Sequence, residues 1–262
     1  MKPFYLLIAF IATSSVAPAQ MEAGVSYSLS LPLQEMHQNI KPVHNMNFIL
    51  MSPLKKIKQL SVGVEAGIGQ YAFFSKDQDI RFPDGSGTTT EVTYSSNVAT
   101  AGLVTRFQLH KEAKWNPYLS GRLGYANFFS KVIVADPENE DDCKPLDKKT
   151  PIRDHSFFAE YGVGVRIDVN SKKKPNNAWI DFSINQAHGT RLNYINVKDI
   201  KEHVHNDPNN PAPLPDKTIP LNIRFVNVST QAIHEHQLAE VYNSPLRLLN
   251  LKIGMIWRLN CE

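Results

Sequence analysis

Past its first dozen residues the chain has no uninterrupted apolar stretch of the roughly 20 residues that a helix needs to cross a bilayer, so a helical inner-membrane protein is excluded. It also lacks a charge bias. Lys and Arg total 28 against 25 Asp and Glu, leaving +3 over 262 residues, which argues for no nucleic-acid partner. Cysteine is scarce: only Cys143 and Cys261 occur, and neither stands just after position 19, which argues against a lipidated N-terminus. No set of nucleophile, base and orienting acid is legible either. The expectation is a protein that is not an enzyme and takes no cofactor or metal.

What is present starts with an export signal. Met1-Lys2 gives a positive start, Phe4 to Ala12 is apolar, and Ala17-Pro18-Ala19 offers small residues where a signal peptidase reads. Residues 1–19 therefore read as a signal peptide and 20–262 as the exported protein. Export leads to an oxidising compartment, where a disulfide is allowed.

The exported part alternates with period two, the mark of a strand with one apolar face. Leu249, Leu251, Ile253, Met255, Trp257 and Leu259 are set against Asn250, Lys252, Gly254, Ile256, Arg258 and Asn260. Leu60–Gly69 and Phe157–Val169 behave alike, and weaker versions run through about 23–33, 44–51, 94–109, 117–133 and 178–194. That makes eight segments. A soluble sandwich alternates too, but its polar face meets water and is rich in Lys, Glu and Thr. Here that face is Gly, Ser and Asn with isolated charges, which suits the narrow interior of an eight-stranded barrel. Tyr27, Phe107, Phe129, Phe157 and Trp257 sit toward segment ends on the apolar face, as in the aromatic belts of a membrane protein. The joins after segments two, four and six are short and basic, while those near 34–43, 75–93, 134–155 and 195–245 are longer. Outer-membrane barrels show this alternation of short periplasmic turns and long extracellular loops. The fold expected is all-β: a transmembrane antiparallel barrel of eight strands in the outer membrane.

With the strand pattern, the glycine-rich Tyr161-Gly162-Val163-Gly164-Val165-Arg166 and the final Trp257-Arg258-Leu259, the chain resembles the small OmpA/OmpX-type barrels and the PorT-like barrels of Bacteroidota. The resemblance implies a fold and a place among outer-membrane lipid and lipopolysaccharide. Many such proteins end on an aromatic residue, whereas this one ends Asn260-Cys261-Glu262. No peptidoglycan-binding domain follows the barrel, so the resemblance implies no cell-wall anchoring.

Alternation places Glu65, Arg106, Arg122, Glu160, Arg166, Asp168, Asp181, Lys252 and Arg258 inside. Counted from each periplasmic end, Glu65, Arg106, Arg122, Arg166 and Asp181 share a level near the bottom. Glu160 and Lys252 lie higher and face each other. Buried charges of both signs in so narrow a lumen read as an ion-pair network filling it, with no open pore. His188 falls outward near the outer end of the seventh segment, two positions from Thr190 on the same face. Lipid A deacylases of this fold class pair His and Ser that way, but Thr190 replaces the Ser, and the plainer reading is an imidazole at headgroup level.

The pairs His203/His205 and His234/His236 offer imidazoles two apart, and 136–142 is acidic without the spacing of a calcium loop. Both read as solvated loop. Cys143 belongs to an outside loop and Cys261 to the periplasmic end, so no disulfide joins them.

The last long loop, about 195–245, is the strongest functional hint. It holds a proline-rich stretch at 207–215, an alternating run Ile219–Val226 suited to a strand, and a stretch Gln231–Tyr242 suited to a short helix. Leu221, Ile223, Phe225, Leu238 and Tyr242 are its candidate partner-binding residues. Such apolar content either caps the barrel or docks another outer-membrane or surface protein. The reading is a structural or accessory subunit of a secretion, insertion or uptake assembly. Its alternatives are a stand-alone surface barrel that binds an extracellular ligand or adheres and, behind that, a lipid-modifying enzyme.

Overall fold

The computed structural model describes residues 21–81, 85, 87–110, 114–134, 147–169, 178–196, 219–226 and 233–259. Residues 1–19, expected to be a signal peptide, the acidic run, both cysteines, His203 and His205 lie outside the described residues. Among these residues nine strands and one helix follow in chain order: β1 (Met21–Pro32), α1 (Glu35–Asn39), β2 (Val43–Pro53), β3 (Leu60–Arg81), β4 (Gly87–Gln108), β5 (Trp115–Val134), β6 (Asp147–Asp168), β7 (Ala178–Tyr194), β8 (Ile219–Val226) and β9 (Ile233–Leu259). Each strand through β7 pairs antiparallel with the next, and β7 pairs with β9. β9 then returns to β1, with Tyr27 opposite Ile253 and Met21 opposite Leu259. That closure leaves no free edge in the spanning wall, so every backbone N–H and C=O there has a ladder partner without water. Eight strands close the barrel, and β8 is an addition carried on the outer half of β9.

The outer connections differ from the expectation. β3 and β4 stay paired as far as Arg81 opposite Gly87, and β5 and β6 as far as Val134 opposite Asp147. The span 75–93 is thus largely strand, and so are the described residues of 134–155. β9 is a strand from Ile233 onward, and the helix expected over Gln231–Tyr242 does not form. Beyond the bilayer no face has to meet lipid, so a ladder continues after its apolar alternation has faded.

α1 comes from the first outer connection, which folds inward instead of standing as a loop. Gln34 takes φ 55° to turn the chain, the Leu33 N–H donates to the Arg247 carbonyl (2.9 Å), and Met36 ends fully buried. Inside the outer half of the barrel Met36 joins Ile40, Val43, Tyr71, Phe128, Phe158, Leu192, Tyr194, Ile195 and Leu246 in one apolar cluster. The buried charges lie on the periplasmic side of this cluster.

Three register shifts build this plug. The ladder slips between Gln70 and Ala72, between Ser130 and Val132, and between His188 and Arg191. A bulge adds a residue and re-aims its neighbours. The first turns Tyr71 inward beside Ala72, where its hydroxyl donates to the Ile195 carbonyl (2.9 Å). Ser96 donates to the same carbonyl (3.1 Å), and Asn39 donates to the Tyr194 hydroxyl (3.0 Å). α1 and the end of β7 are thus fastened to the wall and to each other.

Candidate functional site

The lumen is organised in two ionic layers. In the periplasmic layer Arg166 meets Glu22 at 2.8 Å, and Arg106 meets Asp181 at 3.2 Å. The Tyr118 ring lies between the two guanidinium groups, 4.7 Å from that of Arg106 and 5.8 Å from that of Arg166. In the second layer Lys252 Nζ donates to Glu65 and Glu160 at 2.9 Å each, while Arg122 donates to Glu65 at 2.8 Å and lies 3.6 Å from Glu160. Each layer holds two acids and two bases and so carries no net charge. Buried ions are tolerable only in such close, balanced groups.

Sequence depth-counting assigned the layers wrongly for two residues. Glu65 and Arg122 belong with Glu160 and Lys252, not with Arg106, Arg166 and Asp181. Strands of a barrel tilt and stagger, so equal counts from the strand ends do not mean equal heights. Glu22 was missed altogether. It precedes the alternation recognised from residue 23, yet Ala23, Val25 and Tyr27 facing out already imply Glu22 facing in. Of the remaining expected residues, Arg258 lies over the Trp179 ring (5.1 Å), and Asp168 sits at the end of β6.

The fit is tight. Phe158 lies across Gly124, where an added Cβ would come within 2.6 Å of the ring and 2.8 Å of the Ala101 carbonyl, and Arg122 covers the same ring at 5.0 Å. Above the second ionic layer, Asn47 donates to Ser28 (3.0 Å) and Asn45 to Ser30 (2.8 Å), and a cavity of about 30 Å³ separates these groups from the plug.

His188 and Thr190 do not form a pair. Buried positions on β7 are odd-numbered through Ala187 and even-numbered from Leu192, because the bulge intervenes. The His188 ring stacks outside on Tyr161 (5.7 Å, 6°), while Thr190 donates to the buried Ser156 hydroxyl (3.1 Å). The expectation of one shared face was wrong. Two further histidines meet a tyrosine on the outer wall: His44 with Tyr27 (6.1 Å) and His155 with Tyr125 (5.3 Å). Among the described residues no group of three or more His, Cys, Asp and Glu is placed to hold a metal.

The backbones of Leu221, Ile223 and Phe225 run in β8 opposite Ala239, His236 and His234 of β9, and Leu238 is also in β9. The side chains of these four lie outside the described residues. Tyr242 packs against the plug, 6.0 Å from Tyr194. At the outer mouth Asp154 accepts the Asn193 N–H (2.7 Å), the Asn193 amide (2.8 Å) and the His155 N–H (2.7 Å). Partial burial raises the affinity of this carboxylate for a proton, but those N–H donors outweigh it and hold Asp154 below its usual range.

The outer wall settles the solvent. Phe48, Ile68, Leu123, Val163, Ile184 and Ile253 are among its exposed apolar side chains, with Leu123 67% exposed. Trp115, Phe107 and Trp257 ring the periplasmic end, and Tyr27, Tyr125, Phe157 and Tyr161 lie toward the other. No described helix is long and apolar enough to cross a membrane. Apolar outside, ionic inside and closed on itself, the wall can face only lipid.

This is an outer-membrane β-barrel. No protein-family model and no curated protein matches it. Solved barrels do. Neisserial surface protein A is 10% identical, with 93% of this chain and 98% of that one covered and a TM-score of 0.37. Ail of Yersinia pestis is 12% identical over 92% and 99%, with a TM-score of 0.35. A major outer membrane protein of Thermus thermophilus is 11% identical over 92% and 99%, with a TM-score of 0.41. The resemblance is one of fold.

Proposed function

We propose that this barrel is a structural or accessory subunit of a larger outer-membrane assembly for secretion, insertion or uptake, without an open pore of its own. The observation that carries the reading is the β8–β9 ribbon. Among the described residues β8 pairs only with β9, and the stretch of β9 that it pairs with, Ile233–Val241, lies beyond the Tyr242–Trp257 stretch that pairs with β7. Among the described residues both edges of this ribbon are open, and an open strand edge is a template for pairing with another chain. The filled lumen supports the same reading, since ionic layers and plug leave the outer surface as the place of action. The barrel carries no reaction in this reading. Residues 1–19 serve as a cleaved export signal ahead of β1.

The test is tagged purification from native envelopes in mild detergent, with mass spectrometry of what stays bound. Stoichiometric partners that disappear on deletion of residues 200–240 support the subunit role. A lone barrel refutes it and leaves a stand-alone surface protein whose ligand should be sought on the same ribbon.

A further inference from the structure

The outer face of β5 and β6 changes character in steps along one ladder. Leu123 is followed by Tyr125 opposite Phe157, then Asn127 opposite His155, then Phe129 opposite Arg153, and then Lys131. Apolar, aromatic, imidazole and cation succeed one another in the order in which a bilayer passes from acyl chain to headgroup. At the top two cations share one ring: Lys131 Nζ lies 5.1 Å from the Phe129 centroid and the Arg153 guanidinium 5.9 Å. The second register shift places Lys131 at a bulge, opposite Thr150 and Pro151, where a proline costs no ladder bond.

Holding two like charges around one ring is unfavourable unless an anion joins them, and the described residues of the wall provide none. Among the described residues neither Lys131 nor Arg153 makes an ion pair. The neighbouring Asp154 faces the mouth, where Asn193 and the His155 N–H occupy it and the His155 ring lies 3.8 Å away. The polar groups alongside are neutral: Asn97 donates to Ser95 (3.0 Å) and accepts from Gln70 (3.5 Å). The two cations carry up to eight N–H donors above a lipid-facing aromatic wall. Phosphate suits such a cluster, since guanidinium and ammonium groups bind it by charge-assisted hydrogen bonds.

We propose that Lys131 and Arg153, gathered over Phe129, bind a phosphate on the saccharide headgroup of an outer-leaflet glycolipid whose acyl chains lie along Leu123, Tyr125 and Phe157. The site deepens the barrel's place in the membrane and does not depend on the β8–β9 ribbon, so either reading can fail without the other.

The experiment uses the full exported chain in nanodiscs and compares retention of a bisphosphorylated lipid A with its dephosphorylated form of the same acyl composition. The native chain should prefer the phosphorylated lipid. In the Lys131→Gln/Arg153→Gln variant that preference should fall by about tenfold, the loss of roughly one charge-assisted hydrogen bond. A heat-dependent gel shift verifies that the variant is folded. Arg247→Gln, which removes an outward cation beside His188 (3.4 Å), should keep the preference. Equal retention of both lipids by the native chain overturns the proposal, as does an unchanged preference in the double variant. An equal loss in Arg247→Gln would show diffuse charge instead of a site. Equally tight binding of the deacylated phosphorylated headgroup would make the ligand a soluble polyanion, and the lipid assignment would fall.

Discussion

Lys252→Met is the sharpest probe of what holds the lumen together. Methionine nearly matches lysine in length and removes the charge together with its N–H donors. Lys252 is the shared donor of the second ionic layer, 2.9 Å from both Glu65 and Glu160. Without it Glu65 keeps Arg122 at 2.8 Å, but Glu160 is left with Arg122 at 3.6 Å, and a neutral layer becomes one with net charge −1. Removing one partner of a buried ion pair costs about 3–5 kcal/mol, because the other charge stays buried. A loss of ~4 kcal/mol lowers the folding equilibrium by roughly a thousandfold. Adding Glu160→Gln restores neutrality and preserves the Arg122–Glu65 pair, so the double variant should return to within about 2 kcal/mol of the native protein. The second substitution thus restores about 2 kcal/mol of what the first removed, whereas costs at independent sites would add. Urea unfolding in detergent, followed by tryptophan fluorescence, measures all three proteins. If the single and double variants lose the same stability, charge balance is not the organising constraint and the reasoning fails.

Other expectations can be checked on the same preparation. Native barrel should migrate differently on a gel before and after boiling, and unchanged mobility would contradict the closed sheet. Met36→Ala empties a fully buried position in the plug and should cost about 2–5 kcal/mol in the same urea titration. Gly124→Ala drives a methyl into Phe158 and the Ala101 carbonyl, with a loss of about 1–3 kcal/mol. Gln34→Gly should be neutral or stabilising by ~1 kcal/mol, since glycine relieves φ 55°. Asp154 is held below its usual range, so its contribution is present above about pH 4, the ordinary carboxylate value, and is lost as pH falls through its folded value. The protection factor of the Asn193 amide, its exchange relative to the intrinsic rate at the same pH, should therefore fall in acid, and Asp154→Asn should flatten that dependence.

Much of the barrel is legible in the residues because lipid imposes a strict rule. Leu249 to Leu259 and Leu60 to Ile68 must show apolar groups outward at every second position, and the polar groups between them must then face in. Strand number, closure and the inward set from Glu65 to Lys252 follow from that rule alone. It stops at the headgroups. Past them β3–β6 and β9 continue as paired strands whose sequence carries no alternation, and the expected loop over 75–93 and the expected helix at Gln231–Tyr242 were errors of that origin.

Height inside the barrel and the closing of its mouth were decided only by tertiary structure. Which acid meets which base depends on strand tilt and stagger, which no single strand's sequence records. That is why Glu65 and Arg122 joined Lys252, and why Glu22 found Arg166 144 residues away. The plug depends on bulges at Tyr71, Lys131 and Gly189–Thr190 and on α1 turning inward at Gln34, each a local departure from period two. Sequence by itself determined which face of each strand meets lipid, since burial in a bilayer is a one-residue property repeated many times. The pairing of charges, the plug and the clustering of Lys131 with Arg153 are properties of neighbours across strands, and only the closed sheet brings those neighbours together.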